Sequence, residues 1–233
     1  MSDLSKDNER LPSDKNGSVS KQLFDEVLNP TLDLSVDYSE IYLDDLIDNE
    51  ALKEIPIIKS VVGIVRGGIS INQFWFAKKL LTFIREFNQR TIEPENLKKF
   101  KTKLAKDQKF SKKVAERLMV SIDRNIEVTQ TIIISNLFAA HVDEKMNYDQ
   151  FKNIVATLDK LNPKAFESFF NLEKIDFVID EKNHKSIGGR DFENEALITN
   201  SGFGLETSSW FHGFQLTDDG RKLFDYGIRP LKK

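Results

Sequence analysis

The chain has 233 residues, of which 39% are hydrophobic and 30% charged, and its formal net charge is −3. It contains no cysteine, which excludes disulfides and thiolate metal sites. The N-terminus lacks the apolar stretch of a secretory signal, and no window of about 18 uncharged apolar residues predicts a membrane-spanning helix. We therefore expect a cytoplasmic protein with a globular core.

The net charge hides a strong asymmetry along the chain. Residues 1–55 carry 5 basic and 14 acidic side chains, whereas residues 56–124 carry 16 basic and 6 acidic ones. Residues 125–233 are again acidic. A basic middle between acidic ends either attracts an anionic partner or pairs with the chain's own acidic arm on a solvated surface.

Composition and periodicity divide the chain into four parts. Residues 1–21 are too polar to bury a core and are predicted to be a disordered tail. Residues 22–54 form an acidic arm with short helices, residues 55–165 a bundle of five or six helices, and residues 166–233 a small α+β unit. The predicted fold class is mainly α, a helical bundle with a small C-terminal unit.

Local signals place several of the helices. Pro30 is expected to end a first helix that begins near Lys21, and Pro94 marks the first turn of a later one. Another helix is expected to begin around Ser111. Residues 128–142 are so uniformly apolar that their helix is predicted to be central.

The stretch from Ile55 to Phe87 joins an apolar, glycine-spaced segment to a basic and aromatic helix that is predicted to be amphipathic. Small residues at helical intervals allow another backbone to approach closely. The candidate interaction residues of this stretch are Ser60, Gly63, Gly67, Ser70, Trp75, Lys78 and Lys79. Three interpretations stay open: a close helix crossing inside the bundle, a surface for a protein partner, or a segment lying on anionic lipid with Lys78 and Lys79 toward the phosphates.

The densest basic run is Lys98–Lys113, which contains eight lysines. Phosphate contacts from such a run gain free energy by counterion release, so nucleic acid is one candidate ligand. Phe100 and Phe110, the aromatic residues available for base stacking, lie at core-facing spacing. A solvated helical face is therefore the simpler interpretation, and nucleic-acid binding is the alternative.

The last seventy residues contain closely spaced glycines and short β-like segments. Strands are expected near residues 203–205 and 211–216, and Thr217 is expected to cap a closing helix at residues 218–226. LITNSGFGL followed by FQLTDDGRKLF resembles the winged-helix pattern, which implies a β-hairpin wing. Candidate interaction residues on that wing are Trp210 and His212.

Winged helices often read DNA through the helix before the wing. Here residues 173–228 hold 6 basic and 11 acidic side chains. The duplex would repel such a unit, so direct DNA readout is not expected and a protein-binding or structural wing is predicted.

A helical body followed by L..GL and LT..G..F motifs is similar to the abortive-infection alpha type of bacterial proteins. The matching positions are Phe138, Phe151, Leu158, Leu161, Leu197, Gly202, Leu205, Leu216, Thr217, Gly220 and Phe224. The resemblance covers roughly the C-terminal half of the chain. It implies a role in phage defence and attaches no functional residues to it.

No catalytic, cofactor-binding or metal-binding set of residues is predicted. His141, His184 and His212 are far apart in sequence, and no G-x-S-x-G elbow or phosphate loop is present. The first hypothesis is a non-enzymatic bacterial interaction protein in phage defence, which binds a protein partner or itself through residues 55–87 and the wing. The alternatives are a membrane-active effector at the membrane periphery using residues 55–87, and a nucleic-acid binder using Lys98–Lys113.

Overall fold

The computed structural model describes residues 18–62, 69–125, 127–159, 161, 204–207 and 213–232. The protein is mainly helical, as predicted, and it divides into two compact units, Met1–Lys145 and Met146–Lys233. The first unit is a helical bundle whose described helices are α1 (Ser18–Leu28), α2 (Leu43–Asp48), α3 (Glu50–Glu54), α4 (Pro56–Val62), α5 (Ile71–Asn88), α6 (Pro94–Lys106), α7 (Gln108–Arg124) and α8 (Val128–Val142).

Two long helices, α5 and α8, pack against each other at the centre of the first unit. Helix α8 has the predicted bounds and is buried along most of its length. Helix α5 also contacts α1, α2, α4 and α7. The prediction of an amphipathic helix at α5 was therefore wrong: neighbours surround it, and its lysines are buried with its phenylalanines.

The core between these helices is rich in phenylalanine, and Phe138 lies at its centre. The Phe138 ring centroid is 5.9 Å from that of Phe83, 5.5 Å from Phe87 and 5.7 Å from Phe100. The hydroxyl of Ser135 donates a 2.9 Å hydrogen bond to the Phe83 carbonyl, which satisfies the only polar atom of a buried serine side chain. This cluster fixes α6 against the α5–α8 pair.

Side-chain caps set several helix starts. Pro94 occupies the first turn of α6, as predicted. Helix α7 begins at Gln108 and not near Ser111, because the Asp107 carboxylate accepts a 2.9 Å hydrogen bond from the backbone N–H of Phe110. The sequence pattern had located the first apolar residues of this helix and not its cap.

The predicted disordered tail and acidic arm need a correction from Ser18 onward, while residues 1–17 of that tail lie outside the described residues. Helix α1 begins at Ser18, ahead of the predicted start, and Leu23, Phe24 and Val27 are buried against α4, α5 and α7. The buried carboxylate of Glu26, in the last turn of α1, accepts a 2.6 Å hydrogen bond from the backbone N–H of Thr31. This hydrogen bond fixes the turn that follows the helix. Residues 18–54 therefore belong to the bundle.

The second unit contains α9 (Tyr148–Leu158), β1 (Gly204–Thr207), β2 (Gly213–Leu216) and α10 (Asp218–Lys222), followed by a π-helical turn and a short 3₁₀ helix. The two strands pair antiparallel, with Gly204 opposite Leu216. The Thr217 hydroxyl accepts a 3.0 Å hydrogen bond from the Gly220 backbone N–H, which confirms the predicted cap. Helix α9 contacts α10, so it groups with this unit and not with the bundle in which residues 55–165 were placed.

Candidate functional site

The two lysines of α5 are not on the surface where the sequence placed them. Lys78 and Lys79 are 8% and 5% exposed. Both ammonium groups donate to backbone carbonyls of the bundle, so neither faces outward to lipid phosphate. The predicted roles of these two side chains in contacting an anionic membrane are therefore corrected to structural ones.

Lys79 closes the C-terminal end of α7. Its ammonium donates hydrogen bonds of 2.8 Å to the Asp123 carbonyl and 2.9 Å to the Asn125 carbonyl. Burial lowers the pKa of the Lys79 ammonium below its usual value, and the nearby Asp123 carboxylate raises it only in part. A cation at this position is favourable because the C-terminal end of a helix carries a partial negative charge.

Lys78 joins α5 to the segment that precedes α2. Its ammonium donates a 2.9 Å hydrogen bond to the Ile41 carbonyl and lies 5.1 Å from the ring centroid of Trp75. Seven residues further along α5, or about two turns, Arg85 lies 3.7 Å from the Asp37 carboxylate. The segment therefore runs antiparallel to α5 and brings Tyr42 to the end of the helix that carries Trp75.

Of the small residues predicted at helical intervals, Ser60, Gly63, Gly67 and Ser70, the structure describes Ser60 and Ser70. The Ser60 hydroxyl donates a 2.6 Å hydrogen bond to Gln22 of α1, so it serves contact between α4 and α1. Ser70 is exposed and caps α5 by accepting from the Gln73 backbone N–H at 3.3 Å. The predicted interaction residues Gly63, Gly67, Trp210 and His212 lie outside the described residues.

Large apolar side chains that remain exposed are concentrated in one stretch of the first unit. In the part of the chain that the structure describes they are Val36, Tyr42, Ile47, Ile71 and Trp75. Tyr42 is 76% exposed, Ile71 67% and Trp75 44%. We call Tyr42, Ile71 and Trp75, with the exposed acids of residues 33–50, the acidic–aromatic patch. Sequence reasoning found Trp75 and missed Tyr42, which immediately precedes the first residue of α2.

The patch is strongly negative. Residues 33–50 carry seven acidic side chains and no basic one, and all seven acids are exposed. Hydrogen bonds from the side chain and backbone of Ser35 lower the pKa of the Asp33 carboxyl. The patch therefore combines aromatic surface with a dense negative charge at neutral pH.

A second surface lies on α6 and the first turns of α7. We call its seven exposed lysines the lysine face: Lys98, Lys99, Lys103, Lys106, Lys109, Lys112 and Lys113. Lys99 pairs with Glu144 at 3.3 Å and Lys112 with Glu116 at 3.9 Å. Lys98, Lys106 and Lys109 have no acidic partner among the described residues. This exposure agrees with the predicted solvated helical face and leaves the surface open to anions.

The two charged surfaces do not neutralise each other within the first unit. Within the described ranges, no acid of residues 33–50 pairs with a lysine of α6 or α7; the acids pair instead with Arg85 and Lys53 or accept from nearby backbone and hydroxyl groups. The acidic segment does pack on the basic middle of the chain, as one interpretation expected, but its partner there is Arg85 of α5. The acids of residues 33–50 therefore do not neutralise the positive charge of the lysine face.

The polar groups of the bundle are arranged for structure. The Asp143 carboxylate accepts a 2.8 Å hydrogen bond from the Glu93 backbone N–H at the start of α6. Partial burial raises the pKa of the Asp143 carboxyl, but hydrogen bonds from Lys145, Glu93 and Asn96 outweigh it and lower the pKa. His141 packs beside Phe100 and Phe138. Among the residues described here, no group of three His, Asp or Glu side chains is arranged to hold a metal ion.

Comparisons with protein-family models, curated proteins and solved structures find no match to this chain. None of the helices that the structure describes has the length and apolarity needed to cross a bilayer. Function is therefore inferred from the two surfaces.

Proposed function

We propose that this chain is a non-enzymatic interaction protein that binds a protein partner through the acidic–aromatic patch. The observation that carries the proposal is the exposure of Tyr42, Ile71 and Trp75, where Lys78 contacts both Ile41, next to Tyr42, and the Trp75 ring, together with the seven exposed acids of residues 33–50. Monomeric surfaces scatter such side chains singly, whereas clustered ones mark binding sites. Tyrosine and tryptophan are the residues that most often dominate binding energy at interfaces.

The patch is held in place before any partner binds. Lys78 fixes the backbone at Ile41 and lies near the Trp75 ring, and Ser70 caps the helix that carries the tryptophan. A rigid aromatic side chain loses little conformational entropy on binding. The surrounding acids favour a partner whose complementary surface is basic and steer its approach.

The test compares Trp75→Ala and Tyr42→Ala with the wild type after chemical cross-linking in the source cells and mass spectrometry. We expect one basic protein to be cross-linked to the wild type and to be lost from both variants, because each removes a central aromatic contact. Val36→Ala is the matched control, since Val36 is an exposed apolar side chain that is not part of the acidic–aromatic patch. Equal recovery with all variants would contradict the proposal.

Phage defence is the setting that we propose, on the resemblance to abortive-infection alpha proteins. The described matching positions are buried or capping, as with Phe138, Phe151 and Thr217, so they support a shared core and identify no site. The test expresses the chain in a phage-sensitive bacterium and measures plating efficiency over a phage panel. We expect protection against some phages and its loss in Trp75→Ala; wild-type expression without protection against any phage would contradict this setting.

We infer that residues 166–233 are a winged-helix-like unit and that the protein acts in the cytoplasm. The antiparallel pair of β1 and β2, followed by the Thr217-capped α10, supports this interpretation. Its excess of acids leads us to expect no retention of the unit on duplex DNA. An NMR assignment with a helix at residues 190–200 packed against the hairpin would test the fold.

A second candidate function, binding of a nucleic acid, rests on the lysine face. Residues 94–113 carry eight lysines against two acids, and Lys98, Lys106 and Lys109 have no acidic partner in the described structure. The double variant Lys98→Glu/Lys106→Glu is expected to abolish salt-dependent binding of a fluorescent single-stranded oligonucleotide. Lys53→Glu/Lys59→Glu is the control of equal charge. Wild-type anisotropy that does not change with the oligonucleotide would exclude this candidate.

A further inference from the structure

A groove of about 710 Å³ lies between α1, the end of α6 and the start of α7. Its apolar part includes Phe24, Leu28, Leu104 and Ala105. The Phe24 ring stands edge-on to Phe100 with a centroid separation of 6.3 Å, so this wall belongs to the rigid core. A volume of this size is typical of a small-molecule site.

The polar part of the groove is mainly cationic. Lys21, Lys101, Lys109 and Lys112 line it, against the single acid Asp25. Lys21 and Lys109 are exposed, and neither has an acidic partner within the described part of the chain. A bound anion would therefore meet ammonium groups from both α1 and α7.

Lys101 connects the groove to the end of α1. Its ammonium donates 3.2 Å hydrogen bonds to the Leu28 carbonyl and the Asn29 side-chain oxygen. An ammonium has three donors, so one remains after these two contacts. The position of Lys101 is set by the fold before a ligand arrives, which reduces the entropic cost of binding.

We propose that this groove binds an amphipathic anion, a fatty carboxylate whose alkyl chain lies along Phe24, Leu104 and Ala105 and whose head group meets Lys21 and Lys109. Charge complementarity selects an anionic head, and the apolar wall selects a chain. The groove's volume suits a ligand of this size better than a folded partner, which needs a much larger contact area. The site is separate from the acidic–aromatic patch and does not depend on it.

The test is isothermal titration calorimetry with dodecanoate below its micellar concentration, on the full chain. We expect saturable one-to-one binding to the wild type. Ala105→Trp should remove it, because the indole fills the groove from an exposed position that leaves the core intact. Lys109→Glu should weaken binding about tenfold, as expected for the loss of one charge-assisted contact.

The matched control is Lys59→Glu, which makes the same charge change on α4 away from the groove and should leave the dissociation constant unchanged. Circular dichroism checks that each variant is folded. Dodecyl maltoside, which has the chain without the charge, and acetate, which has the charge without the chain, should both fail to bind. Undiminished binding to Ala105→Trp, equal affinity for dodecyl maltoside, or saturable binding of an acidic peptide without binding of dodecanoate would overturn the proposal.

Discussion

Helices α5 and α6 each carry a pair of adjacent lysines, and the two pairs have opposite surroundings. Lys78 and Lys79 are buried and donate to backbone carbonyls, whereas Lys98 and Lys99 are exposed. The sequences around them, FAKKLL and NLKKFK, contain the same dipeptide between apolar residues. The difference follows from the neighbours of each helix, because α5 packs against α1, α2, α4, α7 and α8, whereas α6 packs mainly against α7 and α8.

This comparison shows that a basic stripe on a helix is not by itself a binding surface. The buried lysines serve the fold, since a long aliphatic stem packs in the core while the ammonium satisfies carbonyls that end another element. Lys101 does the same at the end of α1 from a half-buried position. Lys98, Lys106 and Lys109 differ from these, because they are exposed and have no acidic partner among the described residues.

The largest effect is expected for Lys79→Ala. The substitution removes two charge-assisted hydrogen bonds and leaves the Asp123 and Asn125 carbonyls without this donor, so we expect a loss of about 3 kcal/mol in the free energy of unfolding. Urea denaturation monitored by circular dichroism measures it. Lys99→Ala is the control, and equal losses for the two variants would contradict the comparison.

The same lysine should make stability depend on alkaline pH. Burial lowers the pKa of Lys79 in the folded state, so the unfolded state binds its proton more tightly. The free energy of unfolding should then rise with pH between the lowered pKa and the usual lysine value near 10.5. Lys79→Met should lose this contribution, and unfolding curves at several alkaline pH values would measure it. A difference in the free energy of unfolding between wild type and variant that stays constant across that pH range would contradict the prediction.

A smaller effect is expected for Lys78→Ala. Its ammonium makes one hydrogen bond to the Ile41 carbonyl, so we expect a loss of about 2 kcal/mol. Because Lys78 also lies near the Trp75 ring, the tryptophan emission spectrum of the folded variant should shift. Lys53→Ala, on a short exposed pair with Glu50, is the control. A destabilised variant with unchanged emission would show that Lys78 does not position Trp75.

Much of the helical layout could be predicted from the sequence, since it depends on local signals. Pro94 starts α6, the uniform apolarity of residues 128–142 identifies the central helix, and Thr217 caps α10. The start of α7 was missed by a few residues because Asp107 caps it ahead of its first apolar position. Burial was harder to predict than helicity, because it depends on which helices meet.

The candidate sites depend on those tertiary contacts. Lys79 reaches carbonyls 44 and 46 residues away in sequence, and no local pattern reports such partners. The segment that carries Tyr42 is held along α5, the helix of Trp75, by the contacts of Lys78 with Ile41 and of Arg85 with Asp37. The groove is also non-local, since α1 supplies one wall and α6 and α7 the other. Only the exposure of the lysine face could be predicted from the composition alone.

The smallest effect on the free energy of unfolding is expected for Lys98→Ala, which tests an exposed lysine of the compared pairs. Lys98 has no acidic partner among the described residues, so its removal should change the free energy of unfolding by less than about 0.5 kcal/mol. Its charge should still matter to a polyanion, because each phosphate-contacting lysine releases counterions whether or not it stabilises the fold. The slope of log affinity for a polyanion such as heparin against log salt concentration should therefore become shallower in this variant, while its urea midpoint stays that of the wild type. A lowered midpoint together with an unchanged salt slope would place Lys98 with the structural lysines of α5.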